Sequence, residues 1–387
     1  MKKFLQFAVA LLVILLAAFF LVVPAVVDSA FNRVNRTTVA PPSQAALALH
    51  ENLRIVDLHA DALLWGRDLS KRNNRGAVDL PRLLDGNVAL EVFTAVTKTP
   101  RGLNYERNDA SSDNIFWLAL SQCWPPRTWG SLTERALYLA RRFDRAVAES
   151  HGTLVPIQSA RDLADYLQRR EKEKRITAGI LGIEGAQALD GKLENLDRLA
   201  DAGYRYISLA HFYDHEFAGS SAGVQKGGLT PLGRELVRRM NEKKIIIDLA
   251  HASSQTIHDV LAATTRPVVY SHGGLRGNCD NRRNLTDEEA HGLARTGGII
   301  GIGFWSTAVC GESPAAIAKA IRYAAGVVGI DHVALGSDFD GSVHTPFDAA
   351  QLPELTDALL KEGFSADQIH AIMGENALRF FRDNLPD

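Results

Sequence analysis

The chain has only three cysteines in 387 residues: Cys123, Cys279 and Cys310. That is too few for a scaffold stapled by disulfides. It also lacks an excess of either charge, with 43 Lys and Arg against 45 Asp and Glu and a formal charge of -2. Nucleic-acid binders normally carry a basic surplus, so no nucleic-acid partner is expected. No glycine-rich phosphate-binding turn follows the first strand-like run, which argues against a dinucleotide-binding open sheet. Beyond residue 43 there is no long linker, low-complexity tract or clear internal repeat. With 46% hydrophobic and 23% charged residues, disorder is excluded and a sizeable core is available.

One stretch departs from this even composition. Residues 4–27 contain no charge and are almost all Leu, Val, Ala, Ile and Phe. A bilayer core needs about 20 such residues in a helix, so the run is long enough to span it. Lys2 and Lys3 precede it, which favours a cytoplasmic N-terminus with the rest of the chain on the far side. Its length favours an uncleaved single-pass anchor over a signal peptide, whose apolar core is usually about 7–15 residues. The expected division is an anchor over 1–27, a polar juxtamembrane linker over 28–43 with Pro41-Pro42, and one domain over 44–387.

Within that domain, short β-branched apolar runs alternate with helix-like stretches. The runs cover 54–61, 87–96, 176–184, 204–211, 244–251, 266–272, 298–305 and 332–338. Between them, Thr230-Pro231 marks a helix start, and Thr286 to Glu289 and Ser365 to Gln368 fit capping boxes. Segments 132–150 and 160–174 show helical periodicity. Eightfold strand–helix alternation predicts a parallel sheet, and a count of eight favours a closed (β/α)8 TIM barrel over a doubly wound sheet. The gap between 96 and 176 is about twice the usual spacing and reads as a helical insertion.

Active sites of parallel α/β folds collect at the carboxyl ends of strands. The predicted strands end in His59-Ala60-Asp61, Glu184, His211, His251, His272 and Asp338. His59 and Asp61, two apart on a strand, face the same way and can reach one cation. Glu184 closes a run with no other polar side chain, where a lone carboxylate is costly to bury without a cation. His251 and His272 end consecutive strands, and two neutral imidazoles can chelate one metal. Asp338 and Asp340 share a face; one can serve as general base, and periodicity does not choose between them. Arg282-Arg283, in the loop after His272, is placed either to grip a substrate carboxylate or to form a surface ion pair. Each residue alone has an ordinary structural explanation; their joint placement at strand ends points to a metal centre.

With these residues in view, the chain resembles the membrane (renal-type) dipeptidase family, zinc metallopeptidases with an amidohydrolase-like barrel. The similarity runs from about Arg54 to Arg382. It is carried by Asp57-Leu58-His59-Ala60-Asp61, Val78-Asp79-Leu80-Pro81-Arg82-Leu83, Gly182-Ile183-Glu184-Gly185 and Gly228-Leu229-Thr230-Pro231-Leu232-Gly233. Ile247-Asp248-Leu249-Ala250-His251, Ser271-His272, Arg282-Arg283-Asn284 and Gly336-Ser337-Asp338-Phe339-Asp340-Gly341 complete it.

The resemblance implies that His59 and Asp61 bind one zinc ion, His251 and His272 a second, and that Glu184 bridges them. It implies a substrate-polarising role for His211, proton shuttling for Asp338, and capture of the substrate's terminal carboxylate by Arg283. Cys279 and Cys310 match a disulfide pair of the animal members, which fits an exported location, with Cys123 left free. Dipeptides are the implied substrates and a homodimer a common family assembly. Ala186-Gln187 and the segment 212–217 differ from the family pattern, and both loops are expected to line the substrate pocket. Competing readings are an amidohydrolase acting on N-acyl amino acids or lactams, and a membrane-tethered barrel that binds without catalysis.

Overall fold

The computed structural model describes residues 1–35 and 40–387. Two helices come first, α1 (Lys2–Leu21) and α2 (Val23–Phe31). They are separate because Pro24, in the first turn of α2, has no N–H for the carbonyl of Phe20. None of the α1 side chains is buried, and by length and composition the helix is a candidate membrane span.

Among the described residues nine parallel strands follow: β1 (Ile55–Ala60), β2 (Val88–Val96), β3 (Leu154–Pro156), β4 (Thr177–Glu184), β5 (Tyr204–Ser208), β6 (Ile246–Asp248), β7 (Val269–Tyr270), β8 (Ile299–Ile302) and β9 (Val333–Leu335). Each of the eight predicted runs contains one of them. The order β2-β1-β9-β8-β7-β6-β5-β4 is closed by a β2–β4 ladder running from Leu90↔Ala178 to Val96↔Glu184. The fold is therefore the (β/α)8 barrel, not the open sheet. The additional strand, β3, pairs only with Thr177, Ala178 and Gly179, below the stretch of β4 that β5 occupies. It lies in the predicted insertion and, at three residues, is too short for periodicity to reveal.

Every residue of β1, β2 and β4 is buried. Inner faces fill the barrel and outer faces meet helices, which is why these strands read as continuous apolar runs without alternation. The helix Leu132–Glu149 shows how the outer layer seats. Ser131 caps it by accepting from Glu134 N, and Ala136, Leu139, Ala140 and Phe143 form its buried stripe. A Cβ on Gly179 would stand 2.6 Å from the Phe143 ring, so glycine lets that ring lie on the sheet. Both predicted capping boxes form, at Thr286 with Glu289 and Ser365 with Gln368.

The polar stretch 28–43 is more structured than a linker requires. Asp28 belongs to α2 and is fully buried, and Asn35 N donates to Thr345 O at 2.8 Å. Ser43 caps the helix Gln44–His50, while its own N–H donates to Asp357 at 3.0 Å. Linker positions 36–39 lie outside the described residues.

His50 joins that helix to the barrel through Thr356 Oγ1 (2.8 Å) and Gly86 O (3.1 Å). Burial lowers its pKa to about 4, against a smaller upward pull from the Gly86 carbonyl. The unfolded chain then binds a proton below about pH 6.5 that the folded chain refuses, so this stability is present above that pH and lost as pH falls towards 4. Urea unfolding at pH 7 and pH 5 should show a loss on the order of 2 kcal/mol from this residue. In His50→Gln that part of the pH dependence should vanish; an unaltered slope would contradict the assignment.

Candidate metal centre

At the carboxyl end of the barrel four imidazoles converge on one carboxylate. The Nε2 atoms of His59, His211, His251 and His272 lie 3.7, 3.0, 2.9 and 3.4 Å from Glu184 oxygens. Asp61 Oδ1 and Asp338 Oδ1 stand 3.6 and 3.9 Å from His59 Nε2. His251 Nε2 and His272 Nε2 are 3.0 Å apart, close enough to share one ion. Three sets have donor atoms within 4.8 Å of one another: His59 with Glu184 and His272, Glu184 with His211 and His251, and His59 with Asp61 and Asp338. All seven residues are buried.

Local structure explains the convergence. His59 lies on β1 and Glu184 ends β4, whereas His211, His251, His272 and Asp338 lie two or three residues beyond strands that end earlier than predicted. His251 and Asp338 have φ of 63° and 59°, a left-handed turn that aims each side chain back over the barrel mouth. The turn at Asp338 is stitched to β1: Ser337 N donates to Asp57 Oδ1 (2.8 Å), Asp338 N to His59 O (3.2 Å) and Asp61 N to Phe339 O (2.9 Å). Thr94 on β2 donates to Asp61 Oδ1 at 2.5 Å.

The tautomer of His272 follows from its partners. Ser271 Oγ donates to Asp248 Oδ2 at 2.7 Å, so it accepts from His272 Nδ1 at 2.7 Å. That places the proton on Nδ1 and leaves the Nε2 lone pair facing the centre, as a metal ligand requires.

The electrostatics suit cations. Burial, reinforced by Asp61, pushes Glu184 well above the usual carboxylate range. Burial also raises Asp338, to about 8, despite the opposing pull of His59. For His59 burial acts downward, but Asp61, Glu184 and Asp338 outweigh it and raise the imidazole to about 10. Burial takes His211 down to about 3 and His251 and His272 well below their ordinary value. Three of the four imidazoles are thus neutral at physiological pH, as ligation demands. Burial thus favours the protonated forms of Glu184 and Asp338, which cations would satisfy as carboxylates. This donor set fits divalent metal ions.

Asp340 is committed elsewhere: it pairs with Arg67 (2.5 Å) and accepts from the N–H groups of Ala77 (2.7 Å) and Val78 (3.2 Å). Arg283 is buried, donating to Tyr270 Oη (2.6 Å) and His272 O (2.9 Å), with Nε unpartnered. Its neighbour Arg282 is exposed and pairs with Glu106. The sulfurs of Cys279 and Cys310 are 2.07 Å apart, and Cys123 is free and exposed.

A cavity of about 540 Å³ opens onto the centre. Of the two loops that differ from the family pattern, only Phe212 lines this cavity; Gln187 and the stretch from Tyr213 to Glu216 line a separate one with Lys98, contrary to expectation. Tyr105 and Trp305 also line the main cavity, and sequence reasoning missed both. Tyr105 lies in the insertion after β2, where no periodic signal places a side chain; burial pushes its hydroxyl up to about 12.

Residues 43–385 match the family described as membrane dipeptidase, peptidase family M19. The chain belongs to the membrane dipeptidase family. It is accordingly an enzyme, a metal-dependent hydrolase of the dipeptidase type. Among curated relatives it is 28% identical over 350 residues to dipeptidase aclJ of Aspergillus oryzae, covering 85% of this chain and 78% of that protein. Solved structures share the fold. One is the probable dipeptidase PvdM from Pseudomonas aeruginosa (TM-score 0.73, 20% identity, 88% of this chain and 98% of that one). Another is a metallo peptidase from Rhodobacter sphaeroides liganded with a phosphinate mimic of the dipeptide L-Ala-D-Ala (TM-score 0.69, 22% identity, 86% and 99%).

Removing the group that holds the His272 tautomer should weaken metal binding in this membrane dipeptidase without changing the fold. For Ser271→Ala, competition with a chelator should show affinity lower by about 10–100-fold. Unchanged affinity would mean that His272 needs no such support.

Proposed function

We propose that the protein hydrolyses dipeptides with two divalent cations, zinc being the first choice, held by His59 and Asp61 on one side, His251 and His272 on the other, and Glu184 between. The observation that carries this reading is the approach of four imidazole nitrogens to the single carboxylate of Glu184. Bound there, the cations supply Lewis-acid polarisation of the scissile carbonyl and lower the pKa of the attacking water.

The chain's own groups do the rest. Asp338, beside the cation sites and 3.9 Å from His59 Nε2, takes a proton from the attacking water as a carboxylate and delivers it to the departing amine. His211, neutral in its buried setting, donates an N–H to the carbonyl oxygen and stabilises its growing charge. Arg283 fixes the substrate's terminal carboxylate, which confines the site to short substrates with a free carboxyl end.

α1 anchors the enzyme with Lys2 and Lys3 on the cytoplasmic side and the barrel on the other face. The Cys279–Cys310 pair supports an oxidising compartment for the barrel.

Asp338→Asn should lower kcat by about 10²–10⁴-fold on dipeptides while both metal sites remain filled. Steady-state kinetics beside elemental analysis tests this. Retained turnover would remove Asp338 from the mechanism, and a much higher kcat/KM for N-acyl amino acids than for dipeptides would overturn the proposed substrate class.

A further inference from the structure

The cavity over the metal centre has two unlike ends. Its inner end carries Asp61, Glu184, His211, His251 and Asp338, whereas its outer end is apolar. Part of that outer wall comes from the N-terminal segment: Phe19, Val23, Val27 and Phe31 all line it. Val23, Val27 and Phe31, spaced by four, lie on one stripe of α2, and Phe19 precedes them near the end of α1. Leu64, Trp65, Leu103, Ile115 and Trp117 face them from the barrel loops.

α2 is held in this position by a buried clamp. Asp28, next to Val27, pairs with Arg67 Nε (3.3 Å) and Arg75 Nε (2.7 Å) and accepts from Asn32 Nδ2 (2.9 Å). Arg67, itself shut off from solvent, also holds Asp340, two residues past Asp338. Asn32 Oδ1 accepts from Ser342 N at 3.0 Å, and Val34 bridges Thr345. α2 is thus tied to the loop after β1 and to the loop after β9. A segment that only tethered the barrel to a membrane would have no need to bury an aspartate there.

The barrel order sets which part of the substrate meets this wall. Arg283 follows β7, which stands across the barrel from β2. A dipeptide held by its carboxylate at Arg283, with its peptide bond over the metals, directs its amino-terminal residue towards the loops after β1, β2 and β9. We propose that α2 forms the pocket for the side chain of that amino-terminal residue and selects large apolar side chains such as leucine or phenylalanine. Residues 23–35 are then part of the catalytic unit. This inference rests on the dipeptidase reading above.

The test uses the full-length, metal-loaded protein in detergent or bilayer discs and reads the ratio of kcat/KM for Leu-Gly to that for Gly-Gly. Val27→Asp should lower this ratio at least tenfold, chiefly through KM for Leu-Gly, and should let Lys-Gly overtake Leu-Gly. Val27→Ala, a milder change, should lower it about threefold. Val26→Asp, on an exposed position of α2 that does not line the cavity, should leave the ratio where it is. A ratio unmoved by both Val27 variants, or an equal fall for both substrates, overturns the proposal. If the wild type cleaves Gly-Gly under those outcomes, the dipeptidase reading stands and only the α2 pocket falls. A wild type that cleaves no dipeptide overturns both.

Discussion

Three carboxylates, Asp61, Glu184 and Asp338, are crowded against His59 in a largely buried pocket at the foot of the cavity, and the rest of the structure depends on how their charge is met. Within a few ångströms in a poorly solvated pocket, three negative charges repel strongly and each is disfavoured by lost hydration. Protons are one answer, and burial raises both Asp338 and Glu184 towards the protonated form. Divalent cations are the other, and the proposed ligands His59, His251 and His272 would complete their coordination. The same crowding that is costly in an empty pocket becomes a source of affinity and of acid–base reactivity once cations occupy it.

A closed parallel barrel is well suited to this arrangement. Eight strands point their carboxyl ends at one mouth, so residues far apart in sequence arrive together without a dedicated loop framework. The supporting bonds are mostly backbone to side chain. Asp57 holds Ser337 N, Asp248 holds Ser271 N and Oγ, and both carboxylates lie a layer below the ligands. These lower carboxylates fix the turns, and the turns aim Asp338 and His272.

Much of this was readable from the chain. The eight barrel strands are buried on both faces almost throughout, so their mainly apolar runs stand out, and the chemistry-bearing residues lie at or just beyond their ends. Helix starts with strong caps, such as Thr286 with Glu289, were equally visible. Strand ends were less so, because β5, β6, β7 and β9 stop before His211, His251, His272 and Asp338, and the left-handed turns that carry two of these residues leave no periodic trace. The choice between Asp338 and Asp340 needed three dimensions: Arg67, 273 positions earlier, takes Asp340 out of the centre. Tyr105 and the α2 stripe were hidden for a related reason. Composition marks residues 4–27 as an apolar anchor and 28–43 as a polar linker, and only tertiary contact shows that α2 covers the cavity.

The central claim is that Glu184 joins two cation sites, and counting bound metal tests it directly. Full-length protein saturated with zinc, passed through a desalting column and analysed for metal should retain two ions per chain. Glu184→Gln, which keeps the side-chain volume but removes the charge, should retain fewer than one. A wild type that retains a single ion, or a Glu184→Gln variant that still retains two, would contradict the account.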